Sequence, residues 1–277
     1  MAAEPSLAAL QAEVAGPDAD IDLGRAALSI ARIEDASLDA ARYLDRLADL
    51  GRALDGRGRH ADPLCRLHRL REYLFEEVGF RGNAEEYYDP RNSLFNEVLD
   101  RRLGIPITLS LVLMEVGRRV GLSVEGIGLP GHFIAGARLD GEQVLLDPFN
   151  GGAFLTVEAC QDLVARAVGR RVELRPEHFA AVTRRQLLGR MLANLKGAYW
   201  RLGQWEKVVR VIDHLLVLEP GGGVEWRDRG VAWNRLGEVR RGIADWERYL
   251  THFPGAPDHR HVRDELTRVR RELARLN

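Results

Sequence analysis

Two stretches near the C-terminus match each other at a fixed offset of 34 residues, which constrains the fold more than any other feature of the chain. Leu202-Gly203 recurs as Leu236-Gly237, Leu216 as Leu250 and Pro220 as Pro254, and aromatic Tyr199 is answered by Trp233. Each unit has room for two helices. The Gly permits a tight turn between them, and the Pro, which has no N–H to give, closes the second. A hairpin of this kind cannot bury its apolar face alone and must stack on neighbours. A further helix over residues 260–275, with Val262, Leu266, Val269 and Leu273 at helical spacing, would cap the open end. Two units are fewer than such an array usually needs, so they should brace on the upstream chain through residues 186–198. The five tryptophans, Trp200, Trp205, Trp226, Trp233 and Trp246, all fall here and are expected to fill repeat interfaces.

Upstream, residues 1–22 mix Ala, Pro, Gly and Asp and read as a loose, flexible leader. Helical periodicity follows over residues 23–30, then 44–54, and again over 63–78 with Leu64, Leu67, Leu70 and Leu74 on one face. Residues 55–59, Asp-Gly-Arg-Gly-Arg, read as a loop. A short helix is expected over residues 94–102, and Pro106 opens the most apolar helix, residues 107–120, with Gly121 as its C-cap. The period then shifts to that of strands at residues 124–129, 132–138 and 143–147. Asp140-Gly141 supplies the turn between the last two. Helices followed by strands, with little alternation, imply an α+β class. The division expected is leader 1–22, an α+β domain over 23–185 and an all-α repeat region over 186–277.

Forty basic groups against 41 acidic ones give a formal charge of −1, which offers no field for nucleic acid. Arg166, Arg170, Arg171, Arg184 and Arg185 form a local basic patch that reads as a solvated face. No run of apolar residues is long enough to span a membrane, and the acidic leader does not resemble a secretory signal. Cys65 and Cys160 are too few for a disulfide framework, and the expected location is the reducing cytoplasm. His132, His178, His259 and His261 lack metal-ligand spacing, so neither metal nor cofactor is expected.

The period of the C-terminal units, and their order of aromatic, Gly and Pro, resemble the tetratricopeptide repeat. The segment from Asn92 to Gly152 carries Gly104-Ile105-Pro106, Pro130-Gly131-His132-Phe133 and Asp147-Pro148-Phe149-Asn150-Gly151-Gly152. A helix, then a His on one strand and an Asp fifteen residues later on its hairpin partner, resembles the transglutaminase-like (papain-type) superfamily. The motifs are most similar to its SirB-like branch, in which such a core is joined to tetratricopeptide repeats. The resemblance covers about residues 23–260 and implies a helical and small antiparallel-sheet core followed by all-α repeats.

Active members of that superfamily place a Cys at the start of the helix, where the dipole and a neighbouring imidazole favour thiolate. The resemblance carries the proton-transfer role to His132 and the orienting role to Asp147. Counting back from Arg118 and Gly121 puts the Cys slot at about Pro106 to Thr108, where no thiol stands. Thr108 and Ser110 are weak hydroxyl candidates, because a hydroxyl is far harder to activate than a thiol. Cys65, among Leu64, Leu67 and Leu70, reads as buried core, and Cys160 as structural. Gly128, Gly131, Gly151 and Gly152 would let backbone approach a ligand closely, with Asn92, Asn96, Gly131 and Asn150 as binding candidates.

The expected function is therefore a non-catalytic protein- or peptide-binding protein, engaging its partner through the repeats, a degenerate cleft that keeps His132 and Asp147, or both. The alternative is an atypical hydrolase or transferase of the peptidase or amide-transfer class that uses the same cleft. A scaffold with no live cleft is the third reading.

Overall fold

The computed structural model describes residues 5–56 and 62–276; most of the loop expected at 55–59 lies outside them. The chain forms α1 (Pro5–Glu13), α2 (Leu23–Ala31), α3 (Ala40–Asp55) and α4 (Pro63–Arg71), the last running into a wider π-helical turn, Glu72–Glu77. β1 (Arg81–Gly82) pairs in parallel with β2 (Leu103–Gly104), and α5 (Phe95–Arg101) lies between them in sequence. α6 (Pro106–Arg119) leads into an antiparallel sheet of β3 (Val124–Ile127), β4 (Ile134–Leu139), β5 (Glu142–Asp147) and β6 (Ala153–Leu155), hydrogen-bonded in that order. α7 (Val157–Val168) follows, then the repeat helices α8 (Arg184–Arg201), α9 (Trp205–Leu218), α10 (Gly223–Arg235) and α11 (Val239–His252), and finally α12 (His259–Leu276). The α+β core with an all-helical C-terminal region is the class read from the sequence.

α6 is the axis of the core. Leu109, Leu111, Val112, Leu113 and Val116 are fully buried, so apolar side chains face every direction around it. The sheet is covered on both faces. Ala135, Ala137 and Leu146 join the main core with α6, whereas Ile134 and Leu145, one residue out of phase, pack with Cys160 and Val164 of α7. Asp140 and Gly141 both take positive φ, 50° and 89°, which joins β4 to β5 by the tight turn that Asp-Gly favours. In the repeats, Gly203 and Gly237 take φ of 66° and 78° at the turns after α8 and α10. Gly230 also lets α10 approach α11 closely, because an added Cβ would stand 2.4 Å from the Trp246 ring. Trp226 and Trp246 are buried, while Trp200, Trp205 and Trp233 are half-buried. Among the described residues no helix is long and apolar enough to cross a membrane.

Three expectations need correction. The described part of the leader is folded: Leu10 and Ile21 are buried to 1% exposure or less, and α1 packs on α2 and α9. The Asp18 carboxylate accepts from the backbone N–H of Arg184 and Arg185, each at 2.9 Å, satisfying donors that a helix start leaves free. Part of the solvated basic face is the second correction: Arg166, Arg170 and Arg171 are exposed, but the Arg184 and Arg185 side chains return the contact by donating to the carbonyls of Ile21, Val14 and Gly16. Cys65 is the third: it is exposed, because Leu67, Leu70 and Leu74 define the buried face and Leu64 stands 43% exposed beside it. α8 begins two residues before the division expected at 185/186, and one core cluster runs from Leu10 through α6 to Val208 and Ala232.

Burial of the leader gives a direct test. Leu10→Ala should lower the unfolding free energy by ~2–5 kcal/mol in a urea titration, whereas a loose leader would leave it within ~0.5 kcal/mol.

Candidate functional site

β4 and β5 bring the site together. Ala135 pairs with Leu146, so the residues just before β4 meet the end of β5. Gly131, at φ 71°, turns the chain ahead of β4, and His132 N–H donates to the Leu129 carbonyl across that turn. Asp147 ends β5 and starts a short 3-10 turn, Pro148–Asn150, in which Pro at the first position needs no N–H partner. Its carboxylate accepts from Phe149 N–H at 3.1 Å and from Asn150 Nδ2 at 2.7 Å. His132 Nε2 lies 3.3 Å from both carboxylate oxygens. The Asp-Pro-Phe-Asn motif is therefore a local device for holding one carboxylate.

Asp147 is 1% exposed. Burial alone would raise its pKa. Hydrogen bonds from His132 and Asn150, with the charge the imidazole can carry, outweigh that and hold it below its ordinary value. The nitrogen facing Asp147 is Nε2, and Nδ1 makes no hydrogen bond among the described residues. The imidazole edge meets Phe149, with ring centroids 6.5 Å apart, Phe149 meets Tyr87 at 5.8 Å, and Tyr87 meets Tyr88 at 5.3 Å. Tyr87 is 37% and Tyr88 55% exposed, so aromatic rings lead from the buried pair to the surface.

The start of α6 stands close by. Phe149 rests on the Cα of Gly82 in β1, and β1 pairs with β2, which runs into α6. Pro106, Ile107 and Thr108 are buried there. Thr108 Oγ1 donates to the Asn92 carbonyl at 2.8 Å and accepts from Ile105 N–H at 3.1 Å. Ser110 Oγ donates to the Pro106 carbonyl at 2.8 Å. Both hydroxyls are fully buried and serve the backbone. Cys160, in the core beneath the sheet, has its thiol pushed up to about 11 by burial, with Asp147's charge adding to the effect. Cys65 is held above the ordinary thiol value by the hydrogen bond and charge of Asp62. Neither thiol has the electropositive surroundings that generate thiolate.

The binding candidates fall into different places. Asn92 is fully buried: Nδ2 donates to the Glu86 and Tyr87 carbonyls, and Oδ1 accepts from Asn83. It therefore fixes the Tyr87 loop against α6. Asn96 is half-buried on α5 beside Tyr43 of α3. Asn150 is exposed and joins the pair directly through Asp147. Of the glycines expected to admit a ligand, Gly131 faces Ala167, Gly152 faces Phe75, and Gly128 faces Arg190. Gly151 has open space around it. Most of this close approach is thus the protein's own packing. The sequence gives no role to Tyr87, Tyr88 or Arg190, although adjacent tyrosines in a polar loop were a visible signal, and Phe149 figures only as part of the Asp-Pro-Phe-Asn motif. Among the described residues no group of three His, Cys, Asp or Glu converges on a metal position.

The lowered pKa of Asp147 fixes a pH dependence. A carboxylate depressed on folding adds stability above its unfolded value, near the ordinary 3.8, and loses that contribution as pH falls through the folded value. Asp147→Asn should be less stable than wild type by about 1–3 kcal/mol at neutral pH. The gap, measured by urea unfolding, should narrow as the pH is lowered below the ordinary carboxyl value.

Comparison with known proteins places these features in a family. The transglutaminase-like superfamily matches residues 39–193, and the tetratricopeptide repeat matches residues 195–267. A UPF0162 protein of Xylella fastidiosa is 35% identical over 263 residues, covering 92% of each chain. A UPF0162 protein of Vibrio cholerae is 32% identical over 197 residues, 71% of this chain and 73% of that one. F-box only protein 21 of Homo sapiens is 31% identical over 137 residues, 47% of this chain and 21% of that one. With its His132–Asp147 hairpin between α6 and α7 and its 34-residue helical repeats, the chain belongs to the transglutaminase-like superfamily.

Proposed function

We propose that this chain is a non-catalytic binding protein in which the transglutaminase-like cleft, kept without its nucleophile, recognises a peptide segment of a protein partner. A transglutaminase-like domain joined to tetratricopeptide repeats supports a protein-interaction role. The observation that carries the finer reading is the state of the pair. His132 and Asp147 hold each other in a fixed orientation, while the hydroxyls near the start of α6 are engaged with backbone and both thiols are raised away from reactivity. An oriented base with nothing to deprotonate is a poor catalyst but a usable hydrogen-bonding group. With Nε2 giving its proton to Asp147, Nδ1 can accept from a peptide N–H, and the half-exposed Tyr87 and Tyr88 offer apolar contact with a polar tip. The cytoplasm is the compartment that fits two free thiols.

Peptides selected against the full chain from a random display library provide the test. Their binding, followed by calorimetry, should weaken at least about tenfold in His132→Ala, or about 1.4 kcal/mol, and comparably in Tyr88→Ala. No peptide or amide substrate should be turned over by the wild type. Steady turnover that disappears in His132→Ala would overturn the reading in favour of a hydrolase or transferase.

A further inference from the structure

α8 is one uninterrupted helix, yet its residues divide between the two family matches: those up to 193 fall in the transglutaminase-like match and those from 195 in the repeat match. From the first part of this helix Arg190 reaches into the turn that carries His132. Its Nη2 donates to the carbonyl oxygens of Leu129 and His132, at 3.2 Å each. Its guanidinium carbon lies 5.3 Å from the centroid of the Phe133 ring. Nη1 occupies the space that a side chain at position 128 would need, 2.1 Å from an added Cβ, which accounts for Gly128. One side chain therefore touches residues 128, 129, 132 and 133.

The electrostatics of Arg190 are unusual. Burial lowers its pKa, and no carboxylate among the described residues faces it to offset that cost. Two carbonyl dipoles and a ring face recover part of the lost hydration. An apolar side chain could fill the same volume without the penalty, as replacement of buried charged groups often demonstrates. The other end of the helix is also tied to the site. Arg201 stacks on Tyr88 with its guanidinium carbon 3.8 Å from the ring centroid. The two arginines are about 20° apart around the helix at 100° per residue, so a single stripe of α8 faces both the His132 turn and the aromatic loop.

We propose that Arg190 is the positioning residue of the His132–Asp147 site, supplied by the helix that begins the repeats. It fixes the turn of residues 129–132 so that the imidazole gives Nε2 to Asp147 and leaves Nδ1 for a ligand. The proposal deepens the binding role above and rests on it for its consequence, that the cleft does not bind when α8 is displaced.

Nitrogen-15 NMR of the histidine side chains in the full chain tests the positioning role without any ligand. Wild-type His132 should show the Nε2–H tautomer, with the proton directed to Asp147. Arg190→Gln and Arg190→Leu, each checked for native circular dichroism, should lose that signature and show a tautomer mixture. Arg190→Lys should recover it in part, because an ammonium can still reach one of the two carbonyls. Asn194→Ala, at an exposed position of the same helix, should leave it unchanged. A pure Nε2–H signature in folded Arg190→Gln would overturn the proposal, and that variant decides the matter if Arg190→Leu does not fold. Affinity for the selected peptides should fall at least about tenfold in Arg190→Gln. Loss of the tautomer with undiminished peptide affinity would keep the positioning role and sink the binding role of the cleft.

Discussion

The arrangement of this molecule depends on a carboxylate kept almost entirely from water. Asp147 has 1% of its surface exposed, so it must find donors or take up a proton. Three donors meet it: the Phe149 amide, the Asn150 side chain and the His132 imidazole. The first two come from the next three residues, which explains the Asp-Pro-Phe-Asn order. The third comes from across the hairpin, brought there by the β4–β5 register and the Gly131 turn, to which Arg190 also donates. The same group therefore ties local turn chemistry to the sheet, and the sheet to the helix that opens the repeats.

Around that carboxylate stand the residues that the sequence resemblance singles out. His132 and Asp147 face each other, and the start of α6 stands beside Phe149. What occupies that place is structural. Thr108 ties Ile105 to Asn92, Asn92 ties down the Tyr87 loop, and Ser110 bonds back one turn along its own helix. Freeing the Thr108 hydroxyl would leave the Ile105 N–H, from which it accepts, without that partner.

Much of the fold was legible because it is written in periodicity. The shared 34-residue offset places the four helices α8 to α11, and the switch from helical to alternating pattern after Gly121 marks the sheet. The His132–Asp147 pair was legible too, as a motif on two strands with an Asp-Gly turn between them. The rest was carried by contacts distant in sequence. α1 has almost no amphipathic pattern, and its burial depends on α2 and α9 and on Asp18 capping α8, some 166 residues away. Cys65 sits among leucines at helical spacing, but its phase is decided by which leucines the core receives. Arg190 reads in the sequence as one more arginine of an amphipathic helix, and its role exists only once residues 129 and 132 lie beneath it. The glycines were recognised as sites of close approach, yet the approaching groups proved to be the protein's own.

The central claim, that an oriented His132–Asp147 pair stands here without a nucleophile, is tested most directly by electrophile labelling. The full chain, treated with acylating and haloacetamide probes and mapped by mass spectrometry, should react at exposed Cys65 at the same rate in wild type and in His132→Ala. Labelling of Thr108, Ser110 or any residue bordering the cleft, present in wild type and abolished in His132→Ala, would contradict the account.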